Sequence, residues 1–465
     1  MAVVRGITAC GAYLPYRRLD LREVAAVCGG GGRKGFRSVA SFDEDTTTMA
    51  VEAARAALGS VEHVDLGSLW YTTVAPPYFD RTNANTIHAA LRLARTTPAY
   101  DVLGSVRSGF GSLRAALASP GSALAIGSDL RVGLPGGPDE AYFGDGAGAV
   151  AFGDSSDAPV LAEIVAWYAV ADEFVDRWRS PGDFRSKVWE ERLGDVLYTD
   201  AGMAALEGAL KQAGLDTAGV DRVVVTGTHG RAVKSVIARA GIAVDAVADE
   251  LATQIGITGA AHPYLLLAAA LQKASPDEII ALVGLADGAE VIIVRTTAAL
   301  AEHRPARPVA QQLAGGAPLP YGRYLSWRGL LSLEPPRRPE PARVSASAAS
   351  RSVDWKFGLV GSRSAGGTVS MPPAIGDPER QSMADAIGTI KTFTVDRLSY
   401  TPSPPLVFAV VDFDEGGRLP VELTDVDASQ VGVGDRVEMV FRRLSSADGI
   451  QNYFWKARPL RERNI

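Results

Sequence analysis

The sequence predicts an α/β protein in which one β-α-β plan occurs twice, followed by a small all-β barrel. Three observations carry that expectation. Short apolar strands alternate with alanine-rich helical stretches from Val3 to Arg295. Asp145-Gly146-Ala147 and Asp287-Gly288-Ala289 each precede a closing strand at comparable positions of two halves, the echo that a duplicated unit leaves. Beyond a stretch rich in Pro, Arg, Ala and Ser, five strand-like segments separated by turn residues fit a compact barrel. With 465 residues, 47% hydrophobic and 22% charged, the chain can bury a large core and calls for two or three domains.

In the first half, Val3–Tyr13 alternates as a strand, and Asp20–Cys28 follows as a helix capped by Asp20. The run Gly29–Gly32 breaks that helix. It lacks the spaced Gly-Lys-Ser/Thr of a phosphate loop and follows a helix rather than a strand, so a surface loop is expected. Thr46–Leu58 reads as an alanine-rich helix and Leu69–Val74 as a buried strand. Asp80–Arg95 reads as a helix carrying Asn83, Asn85 and His88, the last a helix-surface or interface histidine rather than a ligand. Asp101–Ala118 runs from a short apolar strand through a small-residue turn into an alanine-rich helix. Such a turn aims backbone N–H groups and a positive helix end at whatever sits there, which suits an acyl oxyanion or an activated nucleophile. Strands Ala123–Gly127 and Val150–Phe152 complete the half.

Helix Ala201–Ala213, strand Arg222–Thr226, the turn Gly227-Thr228-His229-Gly230 and a helix through Ala240 repeat the plan. Gly256–Gly259 opens helix Pro263–Lys273, and strands Ile279–Gly284 and Ala289–Arg295 close the unit. Between the halves, Asp172–Asp195 is rich in charge and tryptophan and too irregular for a core element, a composition that suits a surface loop. Pro305–Ser350 reads as a linker. Within it Tyr321–Leu331 is the one amphipathic segment expected to dock, and Arg337, Arg338 and Arg343 form a solvated basic stretch. The barrel strands are Gly388–Val395, Leu406–Asp414, Arg418–Leu423, Asp435–Phe441 and Asn452–Ala457.

A formal net charge of −6, a pI near 5.6 and the lack of a long basic run argue against nucleic-acid binding. No N-terminal stretch joins a basic region to an apolar one, and no apolar run reaches the ~18–20 residues that cross a bilayer, so a cytoplasmic protein with no membrane partner is expected. Cys10 and Cys28 are too few for a disulfide framework and lack metal-ligand spacing; both are expected to be packing residues in a reducing compartment.

The turn Gly104-Ser105-Val106-Arg107-Ser108-Gly109-Phe110, the duplicated halves and the phrases Thr394–Tyr400, Pro402–Pro405, Val410–Asp414 and Tyr453–Lys456 resemble the thiolase superfamily. The likeness is to its hydroxymethylglutaryl-CoA-synthase-like and beta-ketoacyl-ACP-synthase-III-like branches, fused to an acyl-CoA-associated OB-fold domain. The resemblance implies a five-layer αβαβα fold in two halves, 1–155 and 156–300, with a cap-like insertion at about 172–195 that would wall a substrate tunnel. A linker over 301–350, a degenerate zinc-ribbon-like segment over 351–379 and an OB-fold domain over 380–465 follow. In relatives the ribbon carries two C-x-x-C pairs; the matching positions here are Ser364, Gly367, Gly376 and Glu379. These cannot supply the three or four donors zinc needs, so no metal is expected.

In the family the turn carries a nucleophilic cysteine that is acylated, a histidine of the second half handles a proton, and an asparagine or second histidine completes the oxyanion site. The turn here has no cysteine, and the nucleophile position aligns with Val106, Arg107 or Ser108. His229 occupies the turn that matches the family histidine and is the expected acid/base. Ser108 is a candidate nucleophile, although an unassisted hydroxyl is weak and no acid partner for His229 is visible. Gly256-Ile257 stands where the branch commonly has Gly-Asn, and His262 is either a polar substitute or a capping residue. Arg107, Ile257 and Gly288 are candidate substrate-binding positions, Arg107 through a carboxylate or phosphate at the start of the helix. Two classes of function stay open. One is an enzyme on acyl-CoA or acyl-carrier-protein thioesters that makes or breaks C–C bonds, or transfers acyl groups, without a cysteine acyl-enzyme. The other is a catalytically inactive acyl-thioester-binding or scaffold subunit supporting a partner thiolase-like enzyme. Neither calls for a cofactor beyond the coenzyme A or phosphopantetheine of the substrate, and the resemblance implies a homodimer through the thiolase-like domain.

Overall fold

Pairing sorts the strands of both halves onto one continuous sheet. The computed structural model describes residues 3–29, 34–59 and 65–461, so Gly30–Gly32 of the expected loop lie outside the described residues. The sheet contains β1 (Arg5–Tyr13), β2 (Ser68–Thr73), β3 (Ala99–Leu103), β4 (Ala123–Asp129), β5 (Gly146–Asp154), β6 (Ala162–Ala171), β7 (Arg222–Gly227), β8 (Ile279–Leu285) and β9 (Gly288–Thr296). Their order is β7-β8-β9-β6-β1-β5-β4-β2-β3.

The halves are copies in pairing as well as in sequence. β1 with β5 and β6 with β9 are antiparallel, β5 with β4 and β9 with β8 likewise, and β4 with β2 and β8 with β7 run parallel. β3 extends the first half, whereas a single parallel bridge from Val223 to Val247 marks that place in the second. The halves join where β1 meets β6, Gly6 opposite Glu163 and Ile7 opposite Ala162. β6 carries no clear two-residue period, its burial becoming irregular beyond Ala166, which is why the sequence does not announce it.

Helices sandwich the two half-sheets in five layers. Helix α1 (Thr46–Leu58) starts from a reciprocal cap between Asp45 and Thr48 and packs on one face of the first half, where Leu124 and Ile126 point. Helices α2 (Ser108–Ala118) and α5 (His262–Leu271) form the central layer, meeting Ala123 and Ala125 on one side and Ile280, Leu282 and Ile292 on the other. Helices α3 (Glu191–Ala213) and α4 (Gly230–Arg239) cover the outer face of the second half through Ala205, Val233 and Val236. The alternation of strand residues between two buried faces is what both sides of each half-sheet require.

Three segments differ from expectation. The helix expected over Asp80–Arg95 is confined to Ala84–Ala90: Asp80 and Arg92 take left-handed φ values of 57° and 55°, and the Asp101 carboxylate accepts the N–H groups of Asn83 and Ala84 at 2.8 Å. Helix α3 begins at Glu191, inside the expected insertion, whose remainder holds a short hairpin of Arg177–Trp178 with Lys187–Val188. The first part of the expected linker is docked, while residues 331–350 are mostly exposed. Helix α6 (Val309–Ala314) buries Val309, Ala317–Pro318 pairs in parallel with Arg17–Arg18, and helix α7 (Tyr321–Trp327) buries Tyr321 and Tyr324. Proline fixes the extended backbone between these pieces, so a composition that reads as a linker also suits a strap.

Beyond it, Val360–Arg363 pairs with Val369–Ser370 and Glu379–Ser382; among the described residues no group of three His, Cys, Asp or Glu side chains is placed to hold a metal ion. The barrel follows as β10 (Ile387–Asp396), β11 (Leu406–Phe413), β12 (Arg418–Glu422), β13 (Arg436–Ala447) and β14 (Ile450–Pro459), ordered β12-β11-β10-β13-β14 and closed by a bridge from Leu423 to Ala457. Its core is continuous with that around α1.

Buried charge fixes the barrel's seat. Arg442 of β13 pairs with Glu44 at 3.1 Å and Asp425 at 3.2 Å, and Lys456 of β14 pairs with Asp43 at 3.1 Å. Breaking such a pair from one side leaves an uncompensated charge, whose cost exceeds what the pair contributes. Arg442→Met therefore lowers stability by about 3–5 kcal/mol in urea unfolding, and adding Glu44→Gln recovers part of the loss.

Candidate active-site cleft

The turn before α2 does not present free donors. The N–H groups of Ser108, Gly109 and Phe110 bond back to the carbonyls of Ser105, Val106 and Arg107 at 3.0–3.1 Å. The expected oxyanion donors are thus engaged within the turn, because its last residues wind into a tight first turn of helix. The Ser108 hydroxyl donates to the Leu103 carbonyl at 3.3 Å and accepts from the Ser105 N–H at 3.4 Å.

Next to this turn the space is nearly filled. Val106, Phe110, Thr226, Gly227, Ile257 and Gly284 line a void of only about 10 Å3. Phe110 takes most of the room: a Cβ on Gly284 would stand 2.1 Å from its ring, so glycine there is what admits the aromatic side chain. Val106, one of the three positions with which the resemblance aligns the nucleophile, and Ile257, which stands where the branch commonly has asparagine, both line this void. Neither Arg107 nor Ser108 lines it.

His229 lies elsewhere, on a cleft of about 880 Å3 between the insertion, the start of α4 and residues 134–142. It caps α4: Nδ1 accepts the Ala232 N–H at 3.2 Å, and Nε2 donates to the Glu191 carbonyl at 2.9 Å. The ring is therefore held as one neutral tautomer. Ser108 does not line this cleft, so the structure does not bring the candidate nucleophile and the candidate base into one cavity.

Two carboxyls that the sequence did not single out share the cleft with His229. Asp176 belongs to the insertion and has a buried Oδ1 without a hydrogen-bond partner. Gly194 makes room for it, since a Cβ there would stand 2.7 Å from that oxygen and 3.4 Å from the His229 ring. Burial raises the Asp176 carboxyl above the usual range. Glu250 also has a buried oxygen without a partner, and burial, helped by neighbouring Asp249, pushes its carboxyl up to about 7. Perturbed carboxyls in a cleft are what proton transfer near neutrality requires. Their only signal in the sequence was the charge density of Asp172–Asp195; Glu250 had none.

The other candidates serve packing. His262 is buried, its Nδ1 accepting from the Thr258 N–H at 3.2 Å and its Nε2 donating to the Glu250 carbonyl at 2.9 Å, and it lines neither space. Arg107 and Gly288 do meet, but the guanidinium donates to the carbonyls of Val170 and Asp287, and Gly288, at φ 106°, has no room for a side chain beside it. Cys10 is buried, and its thiol is pushed up to about 12 by burial. Cys28 is exposed rather than packed, its sulfur 3.4 Å from the Tyr321 hydroxyl, because its helix is a short surface one.

Two outcomes follow from this geometry. Burial pushes the His262 imidazole down to about 4 from its usual 6.5, so the unfolded chain takes up the proton first. Stability is then complete above the unfolded value and falls by roughly 3 kcal/mol as the pH drops towards the folded one; His262→Gln flattens that dependence in urea titrations. Val106→Cys, placing a thiol at the void, yields no acyl adduct by intact mass after mixing with acetyl-CoA, since the space cannot hold an acyl chain.

The profile of the ChsH2 C-terminal OB-fold domain matches residues 382–442. The hydroxymethylglutaryl-CoA synthase of Aeropyrum pernix is 28% identical over 343 residues, covering 70% of this chain and 94% of that protein. That of Methanopyrus kandleri is 27% identical over 337 residues, covering 69% and 95%. Among solved structures, MvaS in complex with 3-hydroxy-3-methylglutaryl coenzyme A superposes with a TM-score of 0.60 at 21% identity, over 73% of this chain and 96% of that one. FabH, 3-oxoacyl-(acyl carrier protein) synthase III from Pseudomonas aeruginosa, gives 0.55 at 20% identity, over 63% and 98%. Joined to the duplicated five-layer fold, these likenesses show a chain that is similar to hydroxymethylglutaryl-CoA synthases over about 70% of its length, with the thiolase-like fold shared by those enzymes and FabH and an OB-fold domain after it.

Proposed function

We propose that the protein is an acyl-thioester enzyme that makes or breaks a C–C bond, or transfers an acyl group, in the 880 Å3 cleft without a cysteine acyl-enzyme. The observation that carries this reading is the cleft's lining. Asp176, His229 and Glu250 offer proton-handling groups, and Lys34, Arg185, Arg231 and Lys234 offer cations suited to the phosphates of coenzyme A or a phosphopantetheine arm. Enolate chemistry needs a base at the α-carbon and a donor at the thioester oxygen. In this reading Asp176, with its unpartnered oxygen, takes the proton. His229 becomes the donor when the thioester oxygen replaces the Glu191 carbonyl as partner of Nε2. The substrate is an acyl-CoA or an acyl-carrier protein, no further cofactor takes part, and the protein works in the cytoplasm as a homodimer through its thiolase-like unit.

The 10 Å3 void favours a second reading. With the family's nucleophile position closed by Phe110 and apolar residues, the chain would be an inactive acyl-thioester-binding subunit that supports a thiolase-like partner.

Exchange of acetyl-CoA methyl protons in deuterium oxide separates the two. The enzyme reading expects measurable exchange that falls by about a hundredfold or more in Asp176→Asn and in His229→Gln, with coenzyme A affinity by calorimetry unchanged. Coenzyme A binding with no exchange from any of a panel of acyl-CoAs leaves the subunit reading, and absent binding removes both.

A further inference from the structure

A second cavity, of about 510 Å3, lies where the end of β1, helix α6 and the end of β14 meet, and it shares no lining residue with the cleft. Among the described residues, three guanidinium groups line it, from Arg307, Arg458 and Arg461, against one carboxylate, Glu438. That carboxylate is engaged by Arg458 at 2.7 Å and Arg307 at 3.3 Å, and Arg307 is further neutralised by Glu52 at 2.7 Å. Arg461 is not matched in this way. Its guanidinium lies 3.4 Å above the Tyr16 ring, and its Nη2 is buried without a hydrogen bond. Among the described residues its nearest carboxylate is Asp425 at 3.8 Å, which already pairs with Arg442 at 3.2 Å.

A further cation stands behind the wall. Arg18, 8% exposed, donates to the carbonyls of Pro15 and Gln312 and has no carboxylate within ion-pair distance among the described residues. Burial draws both Arg461 and Arg18 below the ordinary guanidinium value, Arg18 to about 10. A buried cation without a counter-charge is costly to the fold; Arg18 is of that kind, and Arg461, its side chain 35% exposed, shares its one carboxylate with Arg442, so a bound anion would favour both. Most of the remaining wall is apolar, Leu14, Pro15, Pro308 and Leu460 among it; Gln311 and Gln312 also line the cavity, the Gln312 amide being taken up by Leu14, Ala12 and Arg307. The volume falls in the range of small-molecule sites.

We infer that this junction cavity binds a small organic acid, its carboxylate paired with Arg461 and its apolar body lying against Pro15, Pro308 and Leu460. The planar fork of arginine matches a carboxylate through two parallel hydrogen bonds. An apolar wall selects a carboxylic acid with a hydrocarbon body over inorganic phosphate, which would leave that wall wet. Because the cavity is walled by both the thiolase-like unit and the barrel, its ligand stabilises their junction by mass action.

Calorimetry and thermal unfolding of the full chain with octanoate, benzoate and inorganic phosphate, each with and without saturating coenzyme A, test this. The expected result is one-to-one binding of a carboxylate that raises the melting temperature and is not displaced by coenzyme A. Arg461→Gln should weaken it by about tenfold or more, the loss of a charge-assisted pair. Ala310→Trp, at an exposed position on the cavity wall, should abolish it while circular dichroism and coenzyme A affinity stay unchanged. The inference is overturned if neither carboxylate binds at millimolar concentration, if phosphate binds as tightly, if coenzyme A displaces the acid, or if Arg461→Gln binds like the unmodified protein.

Discussion

The close approach of α5 to α2 and β5 is the contact on which the rest of the molecule depends. Tyr264 lies against Gly127 and Gly148, where a Cβ would stand 2.7 and 2.6 Å from its side chain, and its hydroxyl donates to the Gly109 carbonyl at 2.9 Å. One aromatic side chain thereby ties the two central helices to each other and to the first half-sheet. Interiors are packed too tightly for such a layer to shift by small amounts, so the position of the turn before α2 follows from it. Phe110, in the first turn of that helix, fills the space beside Gly284.

That placement has a chemical consequence. The void beside the turn is walled by Val106, Ile257 and the Phe110 ring, and the N–H groups that start the helix are already bonded within the turn. What remains open is the outer cleft, where unpartnered carboxyl oxygens of Asp176 and Glu250 lie in the same lining as His229.

The barrel is held by a different kind of force. Its apolar core runs into that around α1, but orientation is set by Arg442, Lys456, Asp43, Glu44 and Asp425, charges that satisfy each other only in one arrangement. Hydrophobic contact is non-directional, whereas buried ion pairs penalise every other docking. The strap from Val309 to Trp327 runs across the same side, and the cavity beside α6 is the gap left between these two ways of holding the parts together.

How far the sequence reached can be traced residue by residue. Strand and helix patterns, the echo of Asp145-Gly146 in Asp287-Gly288 and the five barrel strands were legible because alternation, capping and turn chemistry are local. The early end of the helix after Ala90 was not, since it turns on Asp101, distant in sequence, binding the backbone at Asn83 and Ala84. Nor was the docking of Val309–Ala314, whose composition is that of a loop and whose burial comes from partners elsewhere in the chain. For the site, His229 stood out by its place in a turn after a buried strand, and it does face a cleft. That Ser108 lies outside that cleft, that Arg107 is folded onto the carbonyls of Val170 and Asp287, and that Asp176 and Glu250 have unmatched oxygens there were decided by tertiary structure alone. Sequence by itself determined which elements form, because those preferences act over a few residues; which side chains share water, charge or emptiness was set by long-range packing, which no local pattern encodes.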